Sequence, residues 1–145
     1  MSPEMTGTTF PKLLREDVEK WGGRVAMRQK QFGIWNEYTW SESYDNTRRF
    51  VQGLLALGME PGDRVCLLGD LAAELYWAIF AAWCNLGISL GIWAGTPAEG
   101  VEYILNHSET RFLVVKDQEQ VDKALGLKEV LPEGNLVRPQ GDEEL

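Results

Sequence analysis

The chain has 145 residues and a formal net charge of −8, with 44% hydrophobic and 25% charged residues. This composition fits one globular domain and excludes a disordered chain, which is poorer in apolar and aromatic residues. The acidic balance argues against nucleic-acid binding, which needs clustered Lys and Arg to displace counterions. The single His and the lack of a Cys-x-x-Cys pair leave no metal-site motif.

The two cysteines and the first residues indicate the compartment. Cys66 and Cys84 form no disulfide framework, and each lies in an apolar stretch, which predicts two small core residues. The opening segment MSPEMTGTTF has neither the basic nor the apolar region of a signal peptide. We therefore expect a reducing, cytoplasmic location.

A helix and a hairpin are predicted at the start of the chain. The helix covers residues 10–20, because Thr8 or Thr9 can cap its first turn. Two strand-like runs follow, at 24–29 and 34–39. The Gly-containing connection between them is typical of a β-hairpin.

The sequence contains two capping boxes, in which an N-cap Thr and a Glu three residues later bond each other's backbone. Thr39 and Glu42 predict the start of a second helix, which Gly58 closes. Thr96 and Glu99 predict the start of a later helix. Both boxes precede apolar residues at helical spacing.

A charge-free stretch at 75–98 has the length of a membrane span. Asn, Gly and Pro residues interrupt it, so we predict a buried helix and a buried strand instead. Asp70 is the predicted N-cap of that helix, which runs to about Leu86 with Gly87 at C′. The strand occupies 88–92.

Three short apolar runs alternate with helices, which predicts parallel βαβ units with right-handed crossovers. The runs lie at 64–68, 88–92 and 111–115. The predicted fold class is α/β, with a parallel sheet of at least three strands, flanking helices and a small N-terminal β-hairpin.

After the third run, Asp117 or Gln118 starts a weak helix to about Leu127, and Pro and Gly at 132–134 break the chain before a strand stub at 136–137. The predicted organisation is an N-terminal tail at 1–8, a single α/β subdomain at 9–138 and an acidic tail at 139–145.

The loop after the second parallel strand carries the candidate binding residues, since ligands of open α/β sheets bind at the carboxyl ends of strands. Its two glycines let backbone approach a ligand, its aromatic ring can stack, and a helix N-terminus follows. The alternative is a turn whose glycines serve backbone geometry and whose Trp packs. The candidates are Gly91, Trp93, Gly95 and Thr96.

Two other turns are weaker candidates. Residues 6–12 resemble a phosphate-binding loop, but no strand precedes them, so a capped helix start is favoured. Residues 68–70 hold one Gly where a dinucleotide fingerprint needs three, which favours a tight βα turn. No set of nucleophile, base and oxyanion donors stands out, and we predict no catalytic residue and no metal ligand.

Several blocks of the chain resemble, in order and spacing, the N-terminal part of bacterial long-chain fatty-acid–CoA ligases, in the AMP-forming adenylate-forming superfamily. The resemblance covers about residues 9–132. The blocks are FPKLL at 10–14, GIWNEYTW at 33–40, GLLALG at 53–58, PGDRV at 61–65, LGD at 68–70, AE at 98–99, YILNHSE at 103–109 and DQEQVDK at 117–123.

The resemblance implies a parent enzyme that uses ATP and Mg²⁺ to form an acyl adenylate and then transfers the acyl group to coenzyme A. It implies that the phosphate loop, the acyl tunnel and the mobile C-terminal domain lie downstream of the matched region. The fragment alone is then expected to hold no cofactor and to be inactive. The loop at 91–96 is expected near the path of coenzyme A.

The resemblance also implies partners, namely the remainder of the ligase or a second copy of the chain. Candidate contact surfaces are the hairpin aromatics Trp35, Tyr38 and Trp40 and the loop around Trp93. The sequence departs from the family pattern after the LGD block at 68–70 and after the strand predicted at 88–92. The alternatives are a stand-alone interaction or ligand-binding module on the same scaffold, or a designed or stabilised domain.

Overall fold

A computed structural model describes residues 8–127 and 135–137. The predicted break at 132–134 and the acidic tail lie outside the described residues, as does most of the predicted N-terminal tail. The helices and strands follow one another in the order α1 (Phe10–Trp21), β1 (Val25–Gln31), β2 (Ile34–Thr39), α2 (Trp40–Ala56), β3 (Arg64–Leu68), α3 (Ala73–Cys84), β4 (Ile88–Ile92), α4 (Ala98–His107), β5 (Phe112–Val115), α5 (Gln118–Gly126) and β6 (Asn135–Val137).

The predicted parallel sheet is confirmed, and it has four strands in the order β4-β3-β5-β6. Cys66 of β3 lies opposite Leu90 on one side and Leu113 on the other, both in parallel register. The strand stub predicted at 136–137 is the fourth strand, which pairs with β5 in parallel. The two central strands, β3 and β5, are buried along almost their whole length, which explains the continuous apolar runs that predicted them.

Helices cover both faces of the sheet. On one face, Val65 and Leu67 pack in a core cluster with side chains of α2 and α3, including Leu54. On the other, Cys66 and Leu68 pack with side chains of α4 and α5. This division follows from the alternation of side chains along a strand. The α/β fold class is therefore confirmed, and the domain has three layers: a sheet between two layers of helices.

The predicted hairpin is confirmed as an antiparallel pair, β1 and β2, with Arg28 opposite Glu37. Strand β1 extends to Gln31, so the connection is only Phe32 and Gly33. Both residues have positive φ, +49° and +82°. Two-residue turns of this kind match the twist of the flanking strands, which explains why the loop is shorter than predicted.

The first capping box forms as predicted. Glu42 N donates to Thr39 Oγ1 at 3.2 Å, and Thr39 N donates to Glu42 Oε2 at 2.8 Å. The bond from the Thr39 backbone also lowers the pKa of the Glu42 carboxyl group. At α1, Thr9 occupies the N-cap position, but its side chain makes no capping bond.

The second capping box does not form, and that prediction is wrong. Helix α4 begins at Ala98, with Pro97 at the N-cap and no side-chain cap. Thr96 instead belongs to the preceding loop, because its N–H donates to Trp93 O at 2.9 Å. Its carbonyl accepts a bond from Lys123. These two bonds hold residue 96 outside the helix.

The N-cap predicted at Asp70 is also wrong. Helix α3 begins at Ala73 with Ala72 at the N-cap, and Ala72 has no capping side chain. Gln29 Oε1 of the hairpin accepts the bond from Ala73 N at 2.8 Å. A tertiary contact therefore satisfies a helix N–H that the prediction assigned to a local cap.

Helix α3 ends at Cys84, two residues before the predicted end. The C′ residue of a helix commonly takes the left-handed conformation, and here that residue is Leu86, with φ +58°, and not the predicted Gly87. Gly87 N then donates to Ala82 O at 2.8 Å, which closes the turn. A Cβ at Gly87 would lie 3.0 Å from the carbonyl oxygens of Ala82 and Asp63. Glycine is therefore needed at position 87 because two carbonyl oxygens lie close to its Cα, and not because position 87 takes the left-handed conformation.

The charge-free stretch forms a helix and a strand of the domain, as predicted, but the prediction of a buried strand is wrong: β4 lies at the edge of the described sheet, and Ile92 is its one buried residue. Trp77 in α3 is 7% exposed. Among the described residues, no helix combines the length and apolar character needed to cross a membrane. Cys66 is buried, but Cys84 is exposed, so the prediction of a core position fails for Cys84.

Candidate functional site

The carboxyl ends of β3, β4 and β5 meet at one edge of the sheet, and backbone bonds join the segments that follow them. Gly69 N donates to Ile92 O at 3.4 Å, and Lys116 N donates to Leu68 O at 3.2 Å. Gly69 has φ +150°, and a Cβ there would lie 2.7 Å from Lys116 Cβ. Only glycine allows this approach without strain.

The segment at 93–97, which we call the Trp93 loop, presents an aromatic ring at this edge. Trp93 is 74% exposed. Its indole lies over Gly95, where a Cβ would come within 2.9–3.1 Å of three ring carbons. The loop therefore offers a large apolar face to solvent, with its glycine accommodating the ring.

Three of the four candidate residues come together. Trp93, Gly95 and Thr96 all lie in the Trp93 loop. Gly91 lies within β4, opposite Leu67, and no atom would contact a Cβ there within 4 Å. The chain's own packing therefore does not require glycine at position 91.

Sequence reasoning missed Lys123, the side chain that reaches this loop from α5. Lys123 Nζ donates to Ala94 O at 2.8 Å and to Thr96 O at 3.1 Å. Its partners are backbone carbonyls, 29 and 27 positions away in the sequence. Neither a motif nor a helical periodicity signals such a contact.

Besides Lys123, the described His and the buried Cys, which could act as base or nucleophile, have their contacts away from the loop. His107 stacks on Tyr103 at the end of α4, with 5.5 Å between ring centroids. Burial raises the pKa of the Cys66 thiol, which Thr110 Oγ1 contacts at 2.9 Å. In the described ranges, no three His, Cys, Asp or Glu side chains are grouped to hold a metal ion.

A second concave surface, which no motif in the sequence predicts, lies between the hairpin and helices α2 and α3. The cleft has a volume of about 600 Å³. Two of its lining residues, Ser43 and Trp77, each have a buried polar atom with no hydrogen-bond partner among the described residues, Ser43 Oγ and Trp77 Nε1. Leaving such atoms unpaired costs free energy. Other lining side chains are Met27, Gln29, Trp40, Thr47 and Phe80.

Solved structures share this α/β arrangement. The anthranilate–CoA ligase AuaEII, in complex with anthranoyl-AMP, aligns with a TM-score of 0.80 and 22% identity, over 88% of this chain and 24% of that one. A benzoate–CoA ligase from Burkholderia xenovorans aligns with a TM-score of 0.80 and 21% identity, over 92% of this chain and 26% of that one. These matches define the fold as that of adenylate-forming enzymes.

The family model for AMP-binding enzymes matches residues 14–142, and the chain belongs to the AMP-binding enzyme family. The long-chain-fatty-acid–CoA ligase ACSBG2 of Xenopus laevis is 30% identical over 135 residues, which is 93% of this chain and 18% of that protein. The ligase ACSBG1 of Bos taurus is 28% identical over 127 residues, 88% of this chain and 18% of that protein.

The resemblance to long-chain fatty-acid–CoA ligases is thus confirmed at the level of the family and its N-terminal region. The chain spans less than one-fifth of the length of the two ligases just named, and both are animal proteins.

Proposed function

We propose that this chain is the N-terminal part of a long-chain fatty-acid–CoA ligase. The similarity to the Xenopus ligase over 93% of the chain carries the proposal. The parent enzyme activates a fatty acid with ATP and Mg²⁺ as an acyl adenylate and then forms the thioester with coenzyme A. The motif blocks of the sequence support a bacterial enzyme of fatty-acid metabolism, and the proposed cytoplasmic location rests on the cysteine usage and the N-terminal segment.

The described residues do not fit a site for ATP and Mg²⁺. Among them, no three His, Cys, Asp or Glu side chains are grouped to hold a metal ion, and the turns that join β3, β4 and β5 to the following helices carry no Ser/Thr-Gly-rich phosphate loop. We therefore assign no adenylation step to this chain. Its proposed role is to build the sheet edge on which the rest of the ligase completes the site.

Coenzyme A is the group that the described residues fit best. The Trp93 loop offers an exposed indole at the carboxyl edge of the sheet, a position suited to a ring-bearing ligand. We assign Trp93, Gly95 and Thr96, with Gly91 in the adjoining strand, to the side of the site that faces coenzyme A.

Coenzyme A should bind weakly to the 145-residue chain and move the indole resonance of Trp93. Stacking of a base on an aromatic side chain contributes about 1–3 kcal/mol, so Trp93→Ala should weaken binding at least about fivefold. Trp35→Ala is the matched control, since Trp35 is also exposed but lies on the hairpin. Equal affinities of the two variants, measured by ¹H–¹⁵N NMR titration, would contradict the assignment.

The chain alone should form no acyl-CoA. Purified protein incubated with ATP, Mg²⁺, palmitate and coenzyme A should give no product above a control without protein, because the described residues lack a site for ATP and Mg²⁺. Product above that control, and lost in a variant of this chain such as Trp93→Ala, would show that the chain holds catalytic elements.

We also propose that the chain associates with a second copy or with the rest of the ligase. The structure corrects the hairpin patch: Tyr38 packs edge-on against Trp77, and Trp40 is half-buried. The most exposed apolar side chains of the hairpin are Phe32, Ile34 and Trp35, which are 88%, 67% and 60% exposed.

Sedimentation of the chain at micromolar to near-millimolar concentration should detect a weak dimer. The dimer should strengthen with salt, because each copy carries a charge of −8 and salt screens the repulsion between copies. Burial of a few hundred Å² of apolar surface, at about 25 cal/mol per Å², gives several kcal/mol, and the entropy cost of association leaves only a weak dimer. Replacing Phe32 and Trp35 by Ser should abolish it. A monomer under every condition would exclude association with a second copy and leave the rest of the ligase as the proposed partner.

A second candidate function is a ligand-binding module on the same scaffold. The cleft favours it, because Trp77 Nε1 is a donor only and Ser43 Oγ has no partner in the described part of the chain. A small neutral molecule with a carbonyl acceptor matches these groups. In an NMR titration, acetophenone should then shift the indole resonance of Trp77. If coenzyme A leaves the indole resonance of Trp93 unchanged in the same chain, the result would favour this function over the first.

A further inference from the structure

The ammonium group of Lys123 joins α5 to the Trp93 loop at two points. Nζ lies 2.8 Å from Ala94 O and 3.1 Å from Thr96 O. These carbonyls belong to the residues on either side of Gly95, on which the Trp93 ring rests. One cation therefore fixes the backbone on both sides of the position that supports the ring.

The loop is closed by a hydrogen bond of its own and continues an edge strand. Thr96 N donates to Trp93 O at 2.9 Å, a bond within the loop itself. Strand β4, which the loop extends, lies at the edge of the described sheet. Gln120 and Ala124 of α5 are buried, as is its C-cap Leu127, so Lys123 joins the loop to a helix that is packed on the core.

The charge of Lys123 is not neutralised by its neighbours. Across the described segments, no carboxylate lies within 4.0 Å of its ammonium group, and the two recorded acceptors are neutral carbonyls. An ammonium group has three N–H donors, and the carbonyls use two of them. The loop thus sits beside a positive charge in a protein whose net charge is −8.

We propose that Lys123 is a positioning residue for the Trp93 loop. Its ammonium clamps the carbonyls of Ala94 and Thr96, and this clamp holds the exposed indole in the orientation that meets an incoming ligand. The inference rests on the proposed function only where it names coenzyme A as that ligand. The clamp itself is a property of the 145-residue chain and is measurable without any ligand.

Amide hydrogen exchange of the chain tests the clamp. Hydrogen bonds from a charged donor are among the stronger ones in proteins, so Lys123→Met should speed exchange at Thr96 by about 10- to 100-fold. Lys123→Arg retains a charged donor of similar reach and should stay within about threefold of wild type. Lys20→Met, which removes an exposed lysine from α1, is the matched control. Exchange at Cys66 in the core reports global unfolding in each sample.

A titration with coenzyme A then separates this inference from the proposed function. We expect Lys123→Met to weaken binding at the Trp93 indole by about three- to tenfold, and Lys123→Arg to restore it. Unchanged exchange at Thr96 in Lys123→Met, with a stable core, would overturn the clamp. Faster exchange with unchanged affinity would overturn its positioning role. Faster exchange in a chain that does not bind coenzyme A would uphold the clamp and reject the proposed ligand.

Discussion

Replacing Trp77 by Asp should leave most of the chain unfolded at room temperature. Trp77 is 7% exposed and packs edge-on against Tyr38, with 5.1 Å between ring centroids. Truncating a buried aromatic costs about 3–5 kcal/mol, and a buried unpaired carboxylate adds several more. Because a domain is stable by only about 5–15 kcal/mol, this single change removes most of that free energy.

The same substitution at two other tryptophans calibrates the result. Trp83 is half-buried and stacks on Phe10, with 4.9 Å between ring centroids. Trp83→Asp should therefore lower the free energy of unfolding by about half as much as Trp77→Asp. Trp93 is 74% exposed, and Trp93→Asp should change stability by less than about 1 kcal/mol. Urea unfolding in detergent-free buffer gives all three values. Wild-type stability of both Trp77→Asp and Trp83→Asp would mean that α3 is exposed.

Gly69→Ala should destabilise the chain by about 2–4 kcal/mol, the sum of backbone strain and overpacking. Gly69 has φ +150°, which side chains rarely adopt, and the new Cβ would lie 2.7 Å from Lys116 Cβ. Relief of this contact has to move β5 relative to β3, because Lys116 N bonds to Leu68 O. The substitution should therefore also disturb the edge of the sheet that carries the Trp93 loop.

A second glycine supplies the control for that measurement. Gly53 lies in α2, and a Cβ there would contact nothing within 4 Å. Gly53→Ala should stabilise the chain by about 0.5–1 kcal/mol, because alanine loses less backbone entropy in a helix. If Gly69→Ala is as stable as Gly53→Ala under urea, the close approach at the sheet edge is wrong.

The sheet and the first capping box were predictable because their causes are local. An apolar run such as Phe112–Val115 has to be covered on both faces, and Thr39 and Glu42 contain both halves of a reciprocal bond. The hairpin was predictable for the same reason, although its turn proved to be only two residues long. In these elements, local preference and tertiary packing agree.

The predictions were wrong where a side chain distant in the sequence forms the hydrogen bond to a backbone N–H or C=O group. Gln29 takes the N–H that Asp70 was predicted to cap, and Lys123 takes the carbonyl of Thr96. At the end of α3, the tight space around Gly87 moves the left-handed residue to Leu86. None of these contacts has a signature in the sequence near the element that it alters.

The place of the Trp93 loop at the edge of the sheet was predictable, but the contacts that hold it were not. The strand-end rule identified the loop with Trp93, Gly95 and Thr96, because parallel strands place their carboxyl ends at one edge. It included Gly91, which lies within β4, and it missed Lys123 and the cleft beside Trp77. Both omissions depend on how helices pack on the sheet, which hydropathy patterns do not specify.

Sequencing the gene beyond the codon for Leu145 tests most directly whether this chain is the N-terminal part of a fatty-acid–CoA ligase. We predict that the reading frame continues for several hundred residues and contains a Ser/Thr-Gly-rich phosphate loop between a strand and a helix. A stop codon directly after Leu145, or a continuation without such a loop, would contradict the proposed function.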